Sequence, residues 1–200
     1  MHQKQLKTPI EELILASHNK GKLAELDKML TPYGVAVTSS AALDLIEPEE
    51  TETTFHGNAK IKALSAMEAT GKPSLADDSG LSCYALNGAP GVYSARWAGP
   101  DRDFDLAMAR IAEEIKKFED HRAAFVSVLA FAVPGKDVQF FEGRCEGTIV
   151  YPPKGSNGFG YDPIFIPEGS VRTFGQMTPD QKEKYSHRAI ALKKFIETVF

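Results

Sequence analysis

Apolar positions change their period along this chain, and the changes mark out its elements. Residues 12–17, ELILAS, are a short apolar run of the kind a buried strand makes. Leu23, Leu26 and Leu30 then recur at helical spacing, and Gly34 ends the predicted helix. VAVTS, residues 35–39, predicts the next strand. This strand–helix–strand opening leaves polar residues at the carboxyl end of the first strand, where α/β folds bind their ligands. After an acidic loop at 47–53, EPEETET, a helix is predicted with Phe55, Ala59, Ala63 and Met67 on one face. Asn58, Lys62 and Ser65 lie on another face, and Gly71 and Pro73 stop the helix.

The second half reads in the same way. SLADDSGLSCYAL suggests a strand, a polar turn and a second strand. GAPGVYSARWAG is a loop punctuated by Gly and Pro, and residues 104–118 are helical by pattern. FVSVLAFAV, residues 125–133, is almost continuously apolar, as a strand covered on both faces should be. Pro134 and Gly135 suit a type II turn into VQFFEGR, so a long hairpin is predicted. In TPDQ, Thr178 stands as N-cap, Pro179 at the first helical position and Gln181 two places on. Ala189, Leu192, Ile196 and Val199 form the expected buried stripe of the last helix. No repeat, low-complexity tract or linker interrupts the pattern.

Composition narrows the class. At 200 residues the chain suits one domain or two closely joined lobes. Its formal net charge of −4 does not attract nucleic acid as a whole, so any anion site must be built locally. Cys83 and Cys145 are far apart and in no metal-like spacing, which points to free thiols in a reducing compartment. The opening MHQKQLKTPIEE lacks a signal-peptide core, and no apolar run has the length of a membrane span. These features predict a cytoplasmic protein with no membrane partner.

Five stretches could carry chemistry. SHNKGK, residues 17–22, places hydroxyl, amide and ammonium donors where a helix N-terminus already favours anions. An Asn-capped surface helix with solvated lysines is the plainer alternative. It is not a Walker A loop, because Leu23 follows Lys22 where Ser or Thr is required. In ADDSG, Asp77 and Asp78 would point opposite ways along a strand, so one can face a ligand while the other orients neighbours. A carboxylate there could hold Mg²⁺ or take a proton from water. An Asp-rich turn is the structural alternative. Glu47, Glu49, Glu50 and Glu52 could complete a magnesium site, or simply be a solvated charge run. GSNGFGYDP, residues 155–163, offers glycines for close backbone approach and Phe159 or Tyr161 for stacking on a base. Lys182, His187 and Arg188 could meet phosphates or base edges. Together the five imply a nucleoside triphosphate with magnesium.

Taken as a set, SHNKGKLAEL, EETETTFHGNAKIKA, LADDSGL, GAPGVYSARWAG, NGFGYDPIF and KYSHRAIAL resemble the inosine triphosphate pyrophosphatase family. That family hydrolyses non-standard purine nucleoside triphosphates. The resemblance covers about 13–195 and implies a mixed α/β fold, an elongated sheet with flanking helices and two lobes around a cleft. It implies a single domain over 1–200, with residues 1–10 as a flexible extension, and a Mg²⁺-dependent homodimer. Carried over residue by residue, Ser17, His18, Asn19, Lys20, Gly21 and Lys22 become the triphosphate cradle, with Lys22 the matching lysine. Asp78 becomes the catalytic carboxylate and a magnesium ligand. Glu49 becomes the second acidic ligand, with adjacent Glu50 left open. Ser79 would touch the substrate, and Phe159, Gly160, Tyr161 and Asp162 would form the nucleoside wall. Lys182, His187 and Arg188 would close the site. Gly57 departs from the pattern, which has Glu there. Rivals are a pyrophosphatase of the septum-inhibitor (Maf-like) family acting on modified pyrimidine nucleotides, a nucleotide sensor without turnover, and a single-strand nucleic-acid binder. The net charge and the lack of a basic stripe count against the last.

Overall fold

A computed structural model describes residues 10–18 and 20–200. Most of the expected N-terminal extension, and Asn19 of the expected cradle, lie outside the described residues. Strand β1 (Glu12–Leu15) leads into helix α1 (Lys20–Leu30), and β2 (Ala36–Ser39) follows a left-handed Gly34 with φ 71°. Helix α2 (Phe55–Thr70) precedes the long strand β3 (Ser74–Cys83). Helix α3 (Phe104–Ile115), strands β4 (Arg122–Ala132), β5 (Gln139–Ile149) and β6 (Phe165–Pro167), and helices α4 (Pro179–Glu183) and α5 (His187–Val199) complete the order.

The strands form one six-stranded sheet in the order β2-β1-β3-β4-β5-β6. β1 runs parallel to both β2 and β3, while β5 and β6 are antiparallel. The sheet is therefore mixed and the fold α/β, as the sequence predicted. Leu13, Ile14 and Leu15 are all buried, which explains why β1 shows no alternation: a central strand covered on both faces has no polar side. The hairpin forms where expected. The Lys136 amide donates to the Val133 carbonyl at 3.0 Å, with Gly135 at φ 74°.

Two expectations change. ADDSG is not a turn; β3 runs through it without a break. β3 lies between β1 and β4, and leaving the ladder at buried Asp78 would orphan backbone groups away from water. The last helix is also split. Thr178 caps α4 through the predicted box, its side chain taking the Gln181 amide while Gln181 returns to the Thr178 N–H. The chain then breaks at 184–186 and restarts at His187. The buried face of α5 is accordingly Ala191, Leu192, Phe195 and Ile196, with Ala189 and Val199 only half-buried.

The chain divides into two compact units. The first holds Met1–Asp77, Val128–Phe141 and Leu192–Phe200; the second holds Asp78–Ser127 and Glu142–Ala191. In the first, Phe195 packs edge-on against Phe131 at 5.2 Å and Phe141 at 5.5 Å. In the second, a core around Leu81, Ile111, Phe125, Ile164, Phe165 and Phe174 is fully or nearly fully buried. Edge contacts of this kind add to plain area burial because ring edges and faces carry opposite partial charge.

Within the second unit, Gly143 of β5 lies against the start of α5. A Cβ there would run into the His187 carbonyl oxygen and come within 2.6 Å of the Ala191 nitrogen. Both are backbone atoms and cannot swing away. Gly143→Ala is expected to cost about 1–3 kcal/mol or more, the scale of overpacking a fitted core. A urea midpoint equal to that of the parent chain would show that α5 can shift freely.

Candidate active site

The first unit gathers cations and carboxylates around the end of β1. Ser17 and His18 follow the strand directly, and Lys20 opens α1. Lys22, in the first turn of the helix, bonds its ammonium to Asp77 Oδ1 on β3. Asp77 is nearly buried, so this pair is a structural charge lock between α1 and β3. Removing one partner of a buried pair strands the other charge, which is why such pairs resist change. The sequence placed Lys22 correctly at the mouth of the helix, but did not identify Asp77 as its partner.

A second pair sits on α2. Lys62 is 7 % exposed, and its ammonium lies 2.8 Å from Glu50 Oε1 in the acidic loop. Sequence reasoning set Lys62 on a polar helix face and gave it no role. The available signal was its position one turn after Asn58, on a face that the acidic loop must cross. Lys62 also lines a cavity of about 40 Å³ with Ala16, Ser40, Glu47, Pro48 and Ser65. That is room for about one or two waters, not for a nucleotide.

Glu49 is exposed in the acidic loop of the first unit, and the second unit holds the other candidates. Asp78 is buried on β3 and Ser79 beside it is half-buried. The turn at 158–162 is organised by Asp162. Its Oδ2 accepts the Phe159 amide at 2.9 Å and the Lys182 ammonium at 2.5 Å. Gly158, at φ 75°, is required because any Cβ would collide with that same oxygen. Phe159 is 70 % exposed, and the Lys182 nitrogen stands 4.9 Å from its ring centroid. An exposed aromatic face beside a cation is well suited to stack on a purine.

Tyr161 changes role. Its side chain is 3 % exposed, its hydroxyl donates to the Ser94 carbonyl at 2.7 Å, and its ring meets Phe104 edge-on at 5.3 Å. Burial pushes its phenol above the ordinary range. Only its backbone is left for a nucleoside wall. Asp162, likewise 2 % exposed, holds the 158–162 turn together instead of facing outward. Extended backbone would put Phe159 and Tyr161 on one side; left-handed Gly160 between them, at φ 63°, breaks that alternation, so Phe159 stays exposed while Tyr161 turns into the core. His187 is buried, with its ring stacked on Phe125 at 5.2 Å and 15°, and Arg188 next to it is half-buried.

The donor set can be tested against a metal. Among the described residues no group of three or more His, Cys, Asp or Glu side chains is placed to hold an ion. Mg²⁺ does not ask for such a cage; it commonly takes one or two carboxylates and completes its shell with water and substrate phosphates. Sparse carboxylates therefore fit an ion that arrives with a phosphate chain. No helix among the described residues is long and apolar enough to cross a membrane.

Residues 13–198 match the model of the Ham1 family. A dITP/XTP pyrophosphatase of Gluconobacter oxydans is 51 % identical over 191 residues, covering 96 % of this chain and 92 % of the relative. One of Agrobacterium fabrum is 50 % identical, covering 93 % and 94 %. Among solved structures, a HAM1 protein from Coxiella burnetii superposes with a TM-score of 0.91 at 37 % identity, covering 95 % of this chain and 98 % of that one.

Neither cysteine serves this chemistry. Both are free and buried, and burial pushes the Cys83 and Cys145 thiols each up to about 12. A thiol that high carries almost no thiolate at neutral pH. The folded protein is expected to leave Ellman's reagent unreacted at pH 8 and to titrate both thiols in guanidinium. Rapid labelling of the native state would mean that the second core opens readily.

Proposed function

The chain belongs to the Ham1 family, and we propose that it is a pyrophosphohydrolase of non-standard purine nucleoside triphosphates such as dITP, ITP and XTP. The products would be the monophosphate and pyrophosphate, removed from the nucleotide pool in the cytoplasm. The observation that carries this reading is identity of about half, over more than nine-tenths of the chain, to relatives named dITP/XTP pyrophosphatase. The family match favours the purine reading over the septum-inhibitor alternative.

In this proposal Ser17, His18, Asn19, Lys20, Gly21 and Lys22 receive the phosphates, and Phe159 with Lys182 receives the base. Asp78 takes a proton from the water that attacks the α-phosphorus. Its near-burial on β3, where bulk water is scarce, supports the assignment. Glu49 and Asp78 would hold Mg²⁺; Glu50 is already committed to Lys62, which favours Glu49 as the acidic-loop ligand. When bound, Mg²⁺ supplies charge neutralisation on the phosphates. His187 and Arg188 donate towards the 6-oxo group that hypoxanthine and xanthine share. Adenine presents a 6-amino donor there, so a buried donor would be left unpaired, at about 1–3 kcal/mol. A homodimer is part of the same reading, supported by the partly exposed Tyr93 of the GAPGVYSARWAG loop.

Three measurements test the proposal. With ITP and Mg²⁺, pyrophosphate is expected and orthophosphate is not; tight binding without turnover would favour a sensor. Asp78→Asn is expected to stay folded and lose roughly a hundredfold or more in turnover, the scale of a lost general base. Arg188→Ala is expected to reduce the preference for ITP over ATP about tenfold, the worth of one unpaired donor. An even loss on both substrates would make Arg188 a phosphate contact instead.

A further inference from the structure

The acidic loop has no regular secondary structure between Leu45 and Thr54, yet its carboxylates must point one way to be useful. Glu50 is tied to Lys62. The second tie is Asn58. Its Oδ1 accepts the Glu52 amide at 3.0 Å, and because an N–H can bond only to the amide oxygen, the orientation of the Asn58 side chain is set. Asn58 is 1 % exposed, and its Nδ2 finds no hydrogen-bond partner among the described residues. The helix does not need this side chain as a cap. Thr54 already accepts the Gly57 amide through its hydroxyl, at 3.0 Å, and the Asn58 amide through its carbonyl.

Gly57 completes the contact. A Cβ at this position would lie 2.5 Å from Glu52 Cβ and 2.7 Å from Glu52 Cγ. Glu52 thus rests on the bare backbone of α2, in space that exists only because residue 57 has no side chain. The departure from the family pattern at this position has a physical consequence.

We infer that Asn58 and Gly57 are positioning residues: they hold Glu52 on α2 and so set the direction in which the preceding Glu49 presents its carboxylate to Mg²⁺. This rests on the metal-dependent reading above. The interaction is one hydrogen bond and one steric seat, so its loss should weaken metal use about tenfold, the scale of one backbone hydrogen bond.

The test uses the full chain and three variants: Asn58→Leu, Gly57→Ala, and Gly57→Ala combined with Glu52→Gly. Pyrophosphate release from ITP is followed against Mg²⁺ concentration, and amide hydrogen exchange over residues 47–53 is measured with and without Mg²⁺ and a non-hydrolysable ITP analogue. Both single variants are expected to need about tenfold more Mg²⁺ for half-maximal rate, with kcat at saturating Mg²⁺ changed far less. Their loops should exchange faster and gain less protection from the ligand. The double variant removes the atoms that a Cβ at position 57 would strike, and should recover most of the Mg²⁺ response; a general loss of stability would not be rescued in this way. Faster exchange with an unchanged Mg²⁺ requirement, or a double variant no better than Gly57→Ala, overturns the inference. A parent chain that turns over ITP without any divalent ion overturns the functional reading itself.

Discussion

Two nearly buried carboxylates stand side by side on a strand that runs through them without a turn, and much of the candidate site follows from that constraint. Successive side chains of a strand leave on opposite faces, so Asp77 and Asp78 need not share a solvent or a partner. Asp77 is answered by Lys22, which fixes the first turn of α1 against β3 by charge as well as by packing. The division between the two compact units falls between these same two residues. One acid therefore serves the architecture of the first unit, and on the proposed reading the other does the chemistry. A turn at this point, as the DDSG composition suggested, would have kept both acids hydrated and ordinary.

What was legible in the sequence was local. Turn chemistry at Pro134–Gly135, the box at Thr178 and Gln181, the glycine stops at Gly34 and Gly71, and the continuous apolar runs of β1 and β4 all depend on neighbours a few places away. They were read correctly because near-neighbour physics decides them. Errors came where distant pairing overrides local preference. The sheet holds DDSG extended, and Ser94 draws Tyr161 inward although its exposed neighbour Phe159 looks equally fit to stack. The family resemblance named candidate stretches, but not which side chains within each stretch face out.

Helix α2 shows the same limit in energetic form. Its expected polar face carries Asn58 and Lys62, and both are buried with the alanines at 59, 63 and 66. Burying a polar group costs free energy unless it finds partners. Here the cost is offset by groups from the acidic loop: the Glu52 amide for Asn58 and the Glu50 carboxylate for Lys62. The loop and the helix are thus mutually dependent. Neither has a reason for its sequence until the other is in place, and no periodicity within α2 could have revealed it.

Three lysines named at the candidate site share one arrangement. Lys22 is held by Asp77, Lys62 by Glu50 and Lys182 by Asp162, each pair within its own unit. An acidic protein that must bind a polyanion faces a problem: unpaired lysines packed for phosphate would repel one another and pay for their own desolvation. Pairing each with a carboxylate cancels its charge locally and keeps its side chain ordered. On the proposed reading the incoming substrate is itself an ion pair, phosphates with Mg²⁺. Phosphate oxygens can then take up the lysines, while a divalent ion compensates the carboxylates left behind. Charge is then redistributed around each pair and little is added. Binding under those terms needs no net positive field at long range, which reconciles a formal charge of −4 with a highly charged anionic substrate.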